Sequence, residues 1–223
     1  SSEASGDKFS CLSISVNWFL SSPERDFKSI VSSVFLSEQE NKINEHHTKL
    51  DDNAFKFLAL KRPLARDLRL AIATMKINTD LERIGDQAFK IKRLLVHLHS
   101  NYSSIFKTIN EEVTWMLDNA LESFIHGNIK LAFDVIAHDR IVNEINRSIF
   151  KSYMDGVKKQ TIDFDEGLNI IQIAKNLERI GDHAKNIAED VIFLESGRDI
   201  RHGKGEGPKD GQPWANIKRK FCL

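Results

Sequence analysis

The sequence Leu-Glu-Arg-Ile-Gly-Asp occurs twice in this chain, at residues 81–86 and at residues 177–182. Around each copy the match continues more loosely, LERIGDQAFKI running to Ile91 and LERIGDHAKNI to Ile187. An identical hexamer that returns 96 residues later, near the end of each half of a 223-residue chain, points to internal duplication. The chain therefore reads as two similar units, each built around one copy.

The hexamer has a definite shape. Leu81, Ile84, Ala88, Ile91 and Leu95 recur at intervals of 3, 4, 3 and 4, the apolar stripe of a helix packed in a bundle. Leu177, Ile180, Ala184, Ile187 and Val191 repeat it. Beside the stripe stand Glu82 and Asp86, and then Glu178 and Asp182, each pair at i, i+4 on one face. Like charges at that spacing cost a few tenths of a kcal/mol. Gly85 and Gly181 add about 1 kcal/mol each relative to Ala. Two readings account for these costs. In one, Arg83 and Lys90 neutralise the acids and the glycine lets a neighbouring helix approach. In the other, the acids gather a hard cation and the glycine gives it access.

Bulk properties narrow the function. Lys plus Arg and Asp plus Glu both number 32, so the net charge is zero, which argues against a general nucleic-acid binder. No apolar run reaches 18 residues, the length of a membrane span. No basic region followed by an apolar core opens the chain, so no signal peptide is expected. Cys11 and Cys222 predict neither a disulfide framework nor a CxxC metal site, and the expected compartment is the cytoplasm. No GxxxxGK[ST] loop is present, so nucleotide binding is not expected.

Read in order, residues 1–20 fit a helix and a strand equally. Ser21-Ser22-Pro23-Glu24 is a helix start, and a helix over about 23–60 follows, ended by Pro63. Asp67 is expected to cap a helix to about 98 that carries the first hexamer. Helices over about 105–126, 129–158 and 165–196 follow, broken at Gly127-Asn128 and at the Thr161–Asp165 loop and closed by Gly197. The expected fold is all-α: two pseudo-symmetric three-helix bundles over 1–100 and 101–202, with a Gly/Pro-rich, disordered tail over 203–223. The second helix of each half carries a related pair, Glu40 with Asn44 and Asp139 with Asn143. The hexamer Glu follows by 42 and 39 residues respectively, so antiparallel helices can bring each pair to the acids. Such oxygen donors suit Mg, Mn, Ca or iron.

These residues resemble the PhoU family of phosphate-signalling regulators. The resemblance spans about 38–202 and rests on the two hexamers, the doubled three-helix layout, the stretch KRPLARDLR at 61–69 and the stretch ESGRDIRH at 195–202. It implies two three-helix bundles whose ExxxD motifs hold metal ions: an iron cluster, or Mn, Mg, Ca or Zn at the same carboxylates. Carried over, Glu82, Asp86, Glu178 and Asp182 are the primary ligands, Glu40 and Asp139 their partners, and Asn44 and Asn143 further candidates. The implied function is binding without catalysis: repression of phosphate-starvation genes and restraint of the phosphate importer. Its partners would be the importer ATPase subunit, a phosphate-sensing membrane histidine kinase and a second copy, with membrane contact only peripheral. Residues 1–36 depart from the family pattern, so the first bundle is expected to have an altered or truncated first helix. Two other readings stand beside this one. A carboxylate-bridged iron enzyme would normally add Glu-x-x-His pairs, which the hexamers lack. A metal-free helical adaptor would leave the acids in water.

Overall fold

The structure is a computed structural model that describes residues 33–98 and 103–201, with the side chains of 33–42 and of 103 outside that description. It is all-α. Helix α1 spans Ser33–Lys61, α2 Ala65–Leu95, α3 Ser103–His126, α4 Ile129–Lys158 and α5 Phe164–Ser196, and no strand occurs among the described residues. The expected helix start near Pro23, the ambiguous segment 1–20, the altered first helix and the tail over 203–223 all lie outside the described residues.

The repeated helices α2 and α5 are the spine. They pack on each other, α1 covers α2, and α3 and α4 cover α5. The described residues thus form a three-helix bundle, α3–α5, and its pseudo-symmetric counterpart around α1 and α2. Both stripes go inside as their spacing requires: Leu81, Ile84, Ile91 and Leu95 are buried, as are Leu177, Ile180, Ala184, Ile187 and Val191. Ile109, Val113, Met116 and Ala120 of α3 and Val135, Val142 and Ile149 of α4 join the same continuous core.

Cross-helix contacts give the directions. Arg66 meets Glu195, Lys76 meets Asp190 and Asp80 meets His183, so α2 and α5 run antiparallel. The two hexamers therefore lie side by side where the helices cross. Asn146 meets Glu178 and Lys185 meets Asp139, so α4 and α5 are antiparallel as well.

Helix ends follow local chemistry. Asn128 accepts from Leu131 N at 3.2 Å, and Asp163 accepts from the N–H groups of Asp165 and Glu166. Gly197 closes α5 in the left-handed region at φ 70°. The expected Asp67 cap is corrected. Leu64 occupies the cap position and Asp67 lies in the first turn, where its charge complements the helix dipole. Arg62 and Ala65 turn this short linker at φ 45° and 49°, so α2 restarts almost at once after Pro63. At its other end α2 stops at Leu95, and Leu98 donates to Leu95 O in a tightened i, i+3 turn.

Candidate functional site

The second half gathers its predicted residues between α4 and α5. Asp139 Oδ2 accepts from Asn143 Nδ2 and from Lys185 Nζ, each at 3.0 Å. Glu178 Oε2 accepts from Asn146 Nδ2 at 2.8 Å and from Lys175 Nζ. Asp182 stands beside them, half-buried. Burial raises its carboxyl pKa, and the neighbouring Asp139 and Glu178 carboxylates raise it further against the weaker opposing pull of Lys175 and Lys185. The antiparallel α4–α5 pairing thus brings Asp139 and Asn143 to the hexamer acids, as their spacing allows.

The first half is different. Glu82 and Asp86 are half-buried on α2, and no hydrogen bond or ion pair to either occurs among the described residues. Arg83 and Lys90, the expected neutralising partners, pair with neither acid. Glu40 lies within α1 with its side chain outside the described residues, and Asn44 is exposed. The halves are thus unequal: the second has four predicted residues in one cluster, the first has two acids without a described partner.

Both glycines serve packing. A Cβ at Gly181 would touch Met116, Val142 and Val113 at 3.5–3.8 Å, and one at Gly85 would press on Ile43 Cδ1 at 3.2 Å. Each glycine faces a neighbouring helix rather than an opening to the acids.

The donor chemistry is all oxygen and suits a hard cation. The arrangement is less open. Among the described residues no group of three or more His, Cys, Asp or Glu is disposed to hold a metal ion, and lysines already hold two of the three carboxylates in the second cluster. The histidines beside the acids serve other partners. His183 Nδ1 lies 2.8 Å from Asp80 Oδ1 on α2, and His138 Nε2 lies 2.5 Å from Glu112 Oε2 while its ring stacks on Trp115 at 4.2 Å. His47 is half-buried, and its backbone carbonyl accepts from Asn78 at 3.0 Å.

Several residues escaped the sequence reading. Asn146 shares the face of Asp139 and Asn143 at i+7 and i+3, a spacing that could have revealed it. Asp80, Asp182, Glu189 and Asp190 line a hollow of about 540 Å³ between α2 and α5, together with Lys76, Arg83, Lys185 and Arg201. Among the eight predicted residues only Asp182 lines it. Asp190 is 1% exposed; Arg201 Nη2 lies 2.6 Å from its Oδ2 and Lys76 Nζ 3.4 Å from its Oδ1. Burial pushes the Asp190 carboxyl up, against the pull of Arg201 and Lys76. Arg66 and Arg69 tie the start of α2 to the end of α5, through Glu195 at 2.8 Å and the Leu194 carbonyl at 3.1 Å.

Comparison with known proteins supplies the family. The model of the PhoU domain matches residues 30–95 and 106–191. A PhoU homologue of the phosphate-specific transport system from a Burkholderia species is 35% identical over 170 residues, 73% of this chain and 72% of that protein. Its counterpart in Pseudomonas aeruginosa is also 35% identical, over 74% of this chain and 70% of its own length. The crystal structure of PhoU from Pseudomonas aeruginosa superposes with a TM-score of 0.77 at 29% identity, covering 86% of this chain and 93% of the other. A Streptococcus pneumoniae PhoU structure shares the fold at a TM-score of 0.78 and 23% identity, covering 87% of this chain and 95% of its own. With both repeats matched, the hexamer helices crossing at the centre and relatives similar along most of their length, this chain belongs to the PhoU family.

Proposed function

We propose that the chain is an accessory regulator of a phosphate-specific transport system and works by binding rather than by catalysis. The observation that carries this reading is the family match over both repeats, together with relatives named as accessory proteins of that system. In this reading the chain represses phosphate-starvation genes when phosphate is plentiful. It contacts the importer ATPase subunit and a phosphate-sensing membrane histidine kinase from the cytoplasmic side, as a homodimer. No helix among the described residues is long and apolar enough to cross a membrane, so membrane contact would come through those partners.

A hard cation belongs to the same proposal. Its ligands would be Glu82 and Asp86 with Glu40 and Asn44 in the first half, and Glu178 and Asp182 with Asp139 and Asn143 in the second. When bound, the cation supplies positive charge to acids that otherwise repel one another. The chain's own part is to hold those carboxylates along two crossing helices. The iron-enzyme reading gains no support from the histidines, since His138 and His183 pair with Glu112 and Asp80. The metal-free adaptor finds support in the second cluster, where two lysines already sit on the acids.

A pulldown of the folded chain against the importer ATPase and the sensor kinase tests the functional reading. Recovery of either partner is expected. Recovery of neither, with circular dichroism establishing a folded helical chain, would refute it.

A further inference from the structure

The two long hairpins, α1–α2 and α4–α5, turn through tips of opposite character. A Cβ at Gly85 would meet Ile43 and one at Gly181 would meet Val142, so the two hairpins pair in the same register. Because α2 and α5 are antiparallel, their tips stand at opposite ends of the molecule. At the α4–α5 tip the linker folds its aliphatic side chain inward. Ile162 is half-buried between Gly156 and Gly167, where an added Cβ would meet it at 2.5 Å and 3.6 Å. At the α1–α2 tip the leucines turn outward. Leu60 and Leu64 are 79% and 81% exposed, the highest values for large apolar side chains among the described residues, and the exposed Phe57 and Leu68 flank them.

Charge divides the tips as well. Residues 55–69 hold five cations and one acid, Asp67, whereas residues 154–168 hold two cations and four acids. Arg66 and Arg69 are engaged, by Glu195 and by the Leu194 carbonyl. Those two contacts hold the first turn of α2 level with the last turn of α5, so the α1–α2 tip stands at the end of the molecule where α5 stops. Lys56, Lys61 and Arg62 are exposed and have no ion pair among the described residues. The tip thus joins bare apolar side chains to positive charge that nothing nearby neutralises.

We propose that the α1–α2 tip is a peripheral membrane contact that docks on anionic lipid. Leu60 and Leu64, with Phe57 and Leu68 behind them, enter the boundary between headgroups and acyl chains. Lys56, Lys61 and Arg62 meet the lipid phosphates. Leucines this exposed on a turn make a projection, which fits a planar lipid layer; a partner helix would instead need a groove. Contact at a surface requires no spanning helix. It is made by the chain itself, beyond the contact through partners described above, and it does not depend on the cation reading. Each basic side chain near an anionic surface strengthens binding about fivefold, so three of them with two leucines give reversible attachment. Only one end of the molecule is built in this way. The α4–α5 tip, with its four acids, faces away from the lipid.

The experiment sediments the full chain with vesicles of phosphatidylcholine alone and with vesicles of equal parts phosphatidylcholine and phosphatidylglycerol. The chain is expected on the mixed vesicles and not on the neutral ones, with binding that weakens as salt rises. Leu60→Ser/Leu64→Ser should weaken that binding about tenfold. Lys61→Gln/Arg62→Gln should weaken it about twentyfold and remove most of its salt dependence. Phe164→Ser, at the opposite tip, should leave it unchanged, and circular dichroism checks that every variant folds. No binding by the wild-type chain, equal binding to both kinds of vesicle, or equal loss in Phe164→Ser would overturn the proposal. So would two results obtained without vesicle binding. A dimer split by the leucine change, read by analytical ultracentrifugation, would hand the tip to a second copy, and a lowered melting temperature would hand it to residues 1–32.

Discussion

The two hexamers are the same six residues on two helices, yet they have different surroundings. The second sits on α5, flanked by α2, α3 and α4, and its acids meet Lys175 and, through Asp139, Lys185. The first sits on α2, which α1 and α5 cover, and its acids meet no described partner. An identical motif thus sets the backbone, the apolar stripe and the direction of the carboxylates, while residues three positions to either side decide what those carboxylates touch. Duplicated sites are copies of a scaffold, and their chemistry is set by what has diverged around them.

The largest effects should come from the stripes, and they test whether the two halves are equally packed. Ile84 and Ile180 are 0% and 1% exposed at matched positions. Replacing either by Ala should cost about 2–4 kcal/mol. Urea unfolding of the two variants checks this; a much smaller cost at Ile84 would mean that the first half is held more loosely.

Next comes the joint between the halves. Arg201→Met leaves the buried Asp190 carboxylate with Lys76 as its remaining cation. The expected loss is about 2 kcal/mol at neutral pH. The folded-state pKa of Asp190 is already raised by burial, and losing Arg201 raises it further. A raised carboxyl pKa means that the folded chain binds the proton more tightly than the unfolded chain. Stability therefore falls as pH rises from the unfolded value through the folded one, and the penalty is complete above both. The cost of Arg201→Met should accordingly shrink as pH is lowered through the raised value. Denaturant midpoints measured at several pH values check it.

The glycines give a smaller and sharper contrast. Gly181→Ala places its methyl in ordinary contact and should stabilise by about 0.5–1 kcal/mol. Gly85→Ala presses on Ile43, which offsets the gain and leaves the change near zero. Thermal melting of the pair measures the difference directly. The smallest effect belongs to Asp182→Asn. It removes a carboxylate disfavoured by burial and by Asp139 and Glu178, so it should stabilise slightly at neutral pH. That gain should disappear once the pH falls below the ordinary carboxylate range.

Much of this was legible in the residues. The 3-4-3-4 stripes placed the core of α2 and α5, and the breaks at Gly127-Asn128, the Thr161–Asp165 loop and Gly197 placed helix ends. Asp67 misled because a good capping residue two positions inside a helix looks the same in sequence as one at its start; the positive φ at Arg62 and Ala65 that restarts α2 early leaves no mark in composition. The glycines left two readings open for a related reason, since whether a missing Cβ admits a ligand or a helix depends on which neighbour arrives, and here a helix does at both. Lys175 lies at i−3 from Glu178 and could have been read from spacing. Lys185 reaches an acid 46 residues away on another helix, and Asp190 finds Arg201 and Lys76 only once α2 lies against α5. Pairings of that kind are products of the fold.

The inequality of the two hexamers is open to one direct observation. The carboxyl carbon signals of the isotopically labelled chain report what each acid touches. The account predicts that Lys175→Met/Lys185→Met shifts the signals of Glu178 and Asp139 and leaves those of Glu82 and Asp86 in place. Unmoved signals at Glu178 and Asp139, or equal shifts at Glu82 and Asp86, would contradict it.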